Sequence, residues 1–310
     1  MQIKHIEHPE DTILTGDLSV LNWFITQGSL SLKIDGCPAI VWGTDPECGR
    51  FFVGTKSVFN KRKKMICHSH DEIDILYADK DELADKLHYC LDALPHTERI
   101  YQGDLIGLGG DDLYQPNTIG YLFPDVITHD IIVAPHTEYI VEGNTLLDTV
   151  AIPLTHKLES TYDGVLFMQC DSIARFQESV RERVQFAKQI ATMVDFTDQK
   201  TSGQIKKSIN YCIRMGLRFT EDNIIRIAND HNVDINLMRL WKLVRSIKLD
   251  ALSLCENNAW WTSFDGIDEC DGEGYVMWNQ YGTYKLVDRD EFSRLNFLTT
   301  GDWTPKKLSQ

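Results

Sequence analysis

The stretch SLSLKIDGCPAIVWG, Ser29–Gly43, decides how the chain is read. It opens as a strand, places Lys33 beside Asp35 and Gly36, and resumes as an apolar strand through Ala39-Ile40-Val41-Trp42. An Asp-Gly pair suffices for a hairpin turn, and a buried or half-buried strand gains nothing from an ammonium group. Two readings follow: an ordinary hairpin with Lys33 in solvent, or a lysine placed to act as a nucleophile.

Working outward, the 310 residues are 43% hydrophobic and 25% charged, as in globular proteins able to bury one large core or two smaller ones. The longest apolar runs, such as Ile131-Ile132-Val133-Ala134, are too short to span a bilayer. The opening MQIKHIEHPEDT lacks the apolar centre of a secretory signal, so a cytoplasmic location is expected, the host cytoplasm if a phage encodes the chain. Eight cysteines, at 37, 48, 67, 90, 170, 212, 255 and 270, form no Cys-x-x-Cys pair and are expected to be free thiols. Cys67-His68-Ser69-His70 has metal-ligating residue types but no matching second cluster.

The net charge of −15 opposes polyanion binding by the chain as a whole. Its distribution is uneven. Residues 174–260 hold 14 Lys and Arg against 10 Asp and Glu, whereas the remainder holds 17 against 36. A second basic run is Lys61-Arg62-Lys63-Lys64.

Residues 18–60 read as strands and tight turns, and the acidic segment 71–92 as one amphipathic helix with Leu76, Leu83, Leu87 and Leu91 on its apolar side. Strands are expected again at 100–105, 128–134 and 164–168. From about 174 the pattern becomes helical: 174–194, 204–219, 221–231 and 235–254, with Thr220 as N-cap of the third. Strand character returns at 274–278 and 283–287 across a short hairpin loop. The expected fold class is therefore α+β, with antiparallel sheets formed by 1–173 and 261–310 and a helical module at 174–260 inserted between them.

Four short patterns bear on chemistry: Lys33-Ile34-Asp35-Gly36, Tyr101-Gln102-Gly103-Asp104-Leu105, Glu273-Gly274-Tyr275-Val276-Met277 and Tyr284-Lys285-Leu286-Val287. In this order they resemble motifs I, III, IV and V of the covalent nucleotidyltransferase superfamily, which contains ATP-dependent DNA ligases, RNA ligases and mRNA capping enzymes; the strand from His129 to Val133 stands where motif IIIa would. The Glu-Gly-Tyr-Val form of motif IV is most similar to that of phage-type RNA ligases. The resemblance implies an adenylation core that uses ATP and Mg²⁺ (or Mn²⁺) and joins nucleic acid, RNA with 5′-phosphate and 3′-hydroxyl ends, with no membrane partner. It implies Lys33 as the nucleophile that takes AMP; Asp35, Gly36, Lys56, Asp104, Glu273 and Lys285 around the nucleotide; Lys285 as a catalytic cation; and Glu273 as the metal ligand.

The chemistry agrees with those residue types. An ordinary lysine is almost wholly protonated at neutral pH, so nearby positive charge must favour the free amine before it can attack phosphorus. A carboxylate suits Mg²⁺, a hard cation bound through oxygen. Departures from the family pattern are also present. Motif III carries Asp104 where glutamate is usual, and the second lysine of motif V is replaced by Val287, which implies either weaker phosphate contact or Arg289 as the substitute. Lys56, in Gly54-Thr55-Lys56-Ser57, stands for the basic residue of motif Ia. Asp163, in Thr161-Tyr162-Asp163-Gly164, is a rival for motif IV that would leave the helices as a C-terminal domain. Only about 23 residues follow Val287, too few for the OB-fold of DNA ligases and capping enzymes, which favours an RNA ligase over a minimal ATP-dependent DNA ligase. A catalytically silent relative that binds nucleic acid or protein is the alternative outside enzymology.

Overall fold

The computed structural model describes residues 6–175, 178–265 and 268–293. These fall into two compact units, one built from 34–170 and 259–272, the other from 6–33, 171–258 and 273–293. The ends of the expected sheet core, 1–5 and 294–310, lie outside the described residues. The class is mixed α and β with several antiparallel sheets.

In chain order the second unit supplies α1 (Pro9–Thr12), α2 (Ser19–Trp23) and β1 (Ser29–Leu32). The first supplies β2 (Ala39–Thr44), β3 (Phe51–Gly54), α3 (His70–Leu76), α4 (Asp81–Ala93), β4 (Ile100–Leu108), β5 (Leu113–Tyr114), β6 (Gly120–Leu122), β7 (Ile131–Val141), β8 (Thr149–Pro153) and β9 (Val165–Phe167). The second resumes with β10 (Ser172–Ala174), α5 (Glu178–Ala191), α6 (Gln199–Arg214), α7 (Glu221–His231), α8 (Ile235–Leu252) and β11 (Cys255–Asn257). β12 (Thr262–Phe264) returns to the first unit, while β13 (Tyr275–Asn279) and β14 (Gly282–Leu286) belong to the second.

The main sheet of the first unit runs β3-β2-β4-β7-β8, antiparallel at each of these junctions, with β9 added to β7 in parallel. Strand alternation sorts its side chains to two faces. Ile40, Trp42, Tyr101, Ile131 and Val133 pack with Ile73, Tyr77, Leu87 and Cys90 of the α3–α4 segment; Val41, Phe52, Ile100 and Tyr139 form a smaller cluster with Val58, Phe59 and Leu146. A separate sheet, β12-β6-β5, lies in the same unit. The helix expected over 71–92 is two helices, interrupted at Tyr77–Lys80. Both are capped or started by acidic first turns, which suits the helix dipole.

The second unit packs its four long helices on the sheet β1-β13-β14. α6 buries Ser202, Ile205, Ile209, Cys212 and Ile213, the three-and-four spacing of an amphipathic helix. Thr220 caps α7, its hydroxyl accepting from the Asn223 amide at 3.4 Å. Residues 19–23, expected among strands and turns, are helical, as are residues 9–12, since Ile13, Leu14, Val20, Leu21, Trp23 and Phe24 all join the helical core. The helical module thus shares its core with β1, β13 and β14, and this unit does not coincide with 174–260. Among the described residues no helix is long and apolar enough to cross a membrane.

Candidate functional site

The register of the β1-β13-β14 sheet sets the faces. Leu32, Tyr275 and Leu286 are opposite one another, as are Leu30, Met277 and Tyr284, and all six belong to the helix-packed core or its margin. Ser31, Val276 and Lys285 are opposite one another on the other face, and Lys33 follows Ser31 by two residues, which places it on that face too. Its amide donates to the Gly274 carbonyl at 2.8 Å, extending the ladder one residue past β1.

Glu273 reaches Lys33 because of Gly274. That residue has φ of +122°, and a Cβ there would strike the Leu286 carbonyl oxygen, so only glycine fits. Strict alternation would put Glu273 on the apolar face with Tyr275; the departure from extended backbone at Gly274 lets its carboxylate form an ion pair with the Lys33 ammonium instead. The carboxylate is 7% exposed and the lysine side chain 24%, so the pair is largely shielded but Lys33 is still open to a ligand.

Lys285 is fixed from the opposite edge, its amide donating to the Glu7 carbonyl at 3.1 Å. Its charge also bears on His8, whose imidazole is held down to about 3 by burial first, then by the Arg289, Lys248 and Lys285 charges against the opposing pull of Glu10. Beside His8 lies a buried ionic cluster. Lys248 Nζ donates to Glu10 Oε1 at 2.7 Å with both side chains fully buried, and Arg289 Nη1 sits 3.1 and 3.2 Å from the Asp11 carboxylate oxygens. Trp241 Nε1 donates to Asp11 Oδ1 at 3.0 Å. Burial pushes the Glu10 carboxyl up, but Lys248, His8 and Arg289 outweigh it and bring it down to about 2. Arg289, expected to replace the missing lysine at Val287, is committed to this cluster and to Asn210.

In the first unit, Gly36 is a glycine for want of space. A Cβ there would lie 2.8 Å from Ile106 Cδ1 and 2.9 Å from Asp104 Cβ, so the loop after Lys33 lies directly against the strand bearing Asp104. The Cys37 amide donates to the Leu105 carbonyl and the Leu105 amide to that of Pro38, at 3.0 and 2.9 Å. Asp104 is 3.7 Å from His136 Nε2. Asp35 is buried and its groups are taken up by the fold: the carboxylate accepts from Asn117 Nδ2 at 3.1 Å and from the Thr118 and Ile119 amides at 3.1 and 3.4 Å, while its amide donates to the Tyr121 hydroxyl at 2.6 Å. Its observed work is to clasp the 117–121 loop, a role that sequence reading missed because the partners lie more than 80 positions away and two of them are backbone amides. Lys56 is exposed on the 3₁₀ turn Lys56–Phe59 that follows β3. Asp163 is exposed in a bend ahead of β9.

The model of a family of unknown function, DUF6267, matches residues 3–225 and 175–300. The chain belongs to the DUF6267 family. No curated protein and no solved structure matches it. This DUF6267 chain thus pairs, within one unit, Lys33 at the end of β1 with Glu273 just ahead of β13, with Lys285 of β14 at a register position on the same sheet face, and it sets Asp104 against the Gly36 loop in the other.

The surface of α6 adds a basic stripe. The helix holds Lys200, Lys206, Lys207 and Arg214 and no acidic residue. Lys207, Tyr211 and Arg214 are exposed and spaced by four and three residues along one side, and exposed Arg218 follows the helix. Lys206 stands apart, paired with Glu7 at 3.0 Å.

Proposed function

We propose that the chain is an ATP-dependent polynucleotide ligase of nucleotidyltransferase type, with RNA ends as substrate and Lys33 as the residue that carries AMP. The observation that supports this most is the meeting of Lys33 with Glu273, 240 positions later, on the strand face that also bears Lys285. In the proposed reaction the Lys33 amine attacks the α-phosphorus of ATP. The N–P bond forms as the P–O bond to pyrophosphate breaks, and the amine proton leaves to solvent. The 5′-phosphate of the donor strand then attacks the AMP phosphorus, breaking the N–P bond as the Lys33 amine takes a proton from solvent, and the 3′-hydroxyl of the acceptor strand attacks that 5′-phosphorus, losing its proton as AMP leaves and the ends are sealed.

The residues have defined work in this scheme. Attack needs the Lys33 amine released from its carboxylate partner, so Glu273 must exchange Lys33 for another cation. A shielded carboxylate beside the nucleophile fits a divalent ion, which binds through one or two carboxylates together with phosphate oxygens. Bound there, Mg²⁺ would supply charge neutralisation at the reacting phosphate. Lys285 adds fixed positive charge on the same face, where negative charge grows. The α6 stripe offers Lys207, Arg214 and Arg218 to a phosphate backbone and Tyr211 as a stacking surface.

The test is joining itself. Purified chain is incubated with ATP, Mg²⁺ and 5′-phosphorylated RNA or DNA of the same sequence. Adenylylated and sealed RNA is the expected product. Preferential sealing of DNA would make it a DNA ligase, and no nucleotide transfer to either strand would leave a fold used only for binding.

A further inference from the structure

We propose that Asp45, Cys48 and His68 form a zinc site that ties the β2–β3 turn to the segment leading into α3. The proposal is independent of the ligase reading. The turn is well built: the Asp45 amide donates to the Arg50 carbonyl at 2.9 Å, and the Cys48 and Gly49 amides donate to the Asp45 carbonyl at 3.3 and 2.8 Å. This brings the Asp45 carboxylate and the Cys48 thiol to one side. His68 arrives from the other direction, presented by Cys67, whose amide and carbonyl pair with Val53 of β3 at 3.0 and 2.9 Å.

Three donor atoms converge. His68 Nε2 is 3.0 Å from Asp45 Oδ2 and 3.5 Å from Cys48 Sγ, and Sγ is 3.5 Å from Oδ2. A tetrahedral zinc ion, with bonds of about 2.0 Å to N and O and about 2.3 Å to S, separates S from either partner by about 3.5 Å and N from O by about 3.3 Å. The observed triangle matches on two sides and is a few tenths of an ångström short on the third. One thiolate and one carboxylate balance the charge of Zn²⁺, and three protein ligands leave the fourth position to water.

A second, independent feature points to a ligand. Glu72 Oε2 is 3.0 Å from His68 Nδ1, the carboxylate–histidine arrangement that orients a metal-bound imidazole. A neutral imidazole has one N–H, and if it is given to Glu72, the Nε2 lone pair faces the Asp45 carboxylate at 3.0 Å with no proton between them, the Cys48 thiol donating to that same Oδ2. A cation there relieves the conflict. Arg50 and Lys64, the basic residues beside this turn, are paired with Glu72 at 3.7 Å and with Glu47, respectively. The neighbouring thiol and imidazole of the Cys67–His70 run do other work: Cys67 is buried, its thiol pushed up to about 12 by burial and then by Glu72, and His70 pairs with Asp92 at 3.0 Å.

Cobalt serves as the probe. Full-length chain stripped with chelator is titrated with Co²⁺, and one equivalent is expected to raise thiolate-to-cobalt charge transfer and four-coordinate d–d absorption. Cys48→Ser and His68→Gln should abolish both, Glu72→Gln should weaken affinity by about 10- to 100-fold, and Cys37→Ser, at another exposed thiol, should change nothing. Zn²⁺ should displace cobalt and raise Tm. To avoid dependence on variants, alkylation of wild-type thiols is mapped by mass spectrometry with and without Zn²⁺, and Cys48 should be protected. Absence of a charge-transfer band in folded wild type, its persistence in Cys48→Ser, or Zn²⁺-independent alkylation of Cys48 would each overturn the site and leave a plain His68–Asp45 clamp.

Discussion

Glu273 and Asp163 both precede a glycine at the start of a strand, yet they stand in different chemical settings. Glu273 is shielded and ion-paired with Lys33; Asp163 is solvated in a bend. Glu273→Gln keeps the shape and removes the charge, so self-adenylylation should fall by about 100-fold or more, the loss typical of removing one preorganised electrostatic group. Asp163→Asn should stay near wild type. Labelling rates with ATP labelled in the α-phosphate check this, and the reverse ranking would move the metal-binding role to the first unit. Lys33 and Glu273 were singled out in the sequence by the resemblance of Lys33-Ile34-Asp35-Gly36 and Glu273-Gly274-Tyr275-Val276 to motifs I and IV, but their ion pair was not foreseen. The duty of Asp35 was not legible, since a carboxylate that accepts from one side-chain amide and two backbone amides of a loop 82 to 84 positions away leaves no pattern in composition or spacing. Arg289 was misread for a related reason: its partners, Asp11 and Glu10, lie at the other end of the chain.

Among the elements, α6 and α1 carry opposite electrostatic problems. The exposed side of α6 is basic, carrying Lys207 and Arg214 with Arg218 just beyond, and single-stranded nucleic acid loses affinity with salt by a log–log slope of about 0.7 per phosphate contacted. Lys207→Glu, Arg214→Glu and Arg218→Glu combined should weaken joining of a preadenylylated strand by about 10-fold or more and flatten its salt slope by about 2, with self-adenylylation unchanged; Lys206, engaged by Glu7, should matter less. Equal joining by the triple variant across salt would make the stripe an ordinary solvated face. The segment entering α1 instead buries its charge. His8 is held near 3 against an ordinary 6.5, so between those values the unfolded chain binds a proton that the folded chain refuses. Stability therefore falls as pH drops from about 6.5 towards 3, by about 1.4 kcal/mol per pH unit. Glu10, held near 2, adds to the loss below about 4.5, while Asp11, which burial raises despite Arg289, acts in the opposite sense. His8→Gln should remove most of the slope between pH 6.5 and 5. Urea midpoints at pH 7, 6 and 5 measure it, and identical slopes in wild type and variant would show His8 to be uninvolved. The long helices were legible because their apolar period is strong, as in α6; the short helices at 9–12 and 19–23 were not, since four or five residues cannot display a period and tertiary burial decides them.

At the scale of the whole molecule, the sequence pattern separated sheets from helices, whereas the contacts group the helices with β1, β13 and β14. Long-range pairing is the reason. β1 and β13 are separated by some 240 residues of chain, and only the register Ser29↔Trp278 to Leu32↔Tyr275 shows that they share a sheet. The result places Lys33, Glu273 and Lys285 in one unit and Asp35, Gly36, Lys56 and Asp104 in the other. The most direct measurement is the intact mass of purified chain after incubation with ATP and Mg²⁺, in wild type, Lys33→Ala and Lys33→Arg. The account predicts that wild type gains the mass of one AMP in a bond that is labile to acid, as a phosphoramidate is, and that neither variant gains it, arginine failing because a guanidinium stays protonated and is no nucleophile. An unmodified wild type under these conditions, or an AMP adduct that persists in Lys33→Ala, would contradict it.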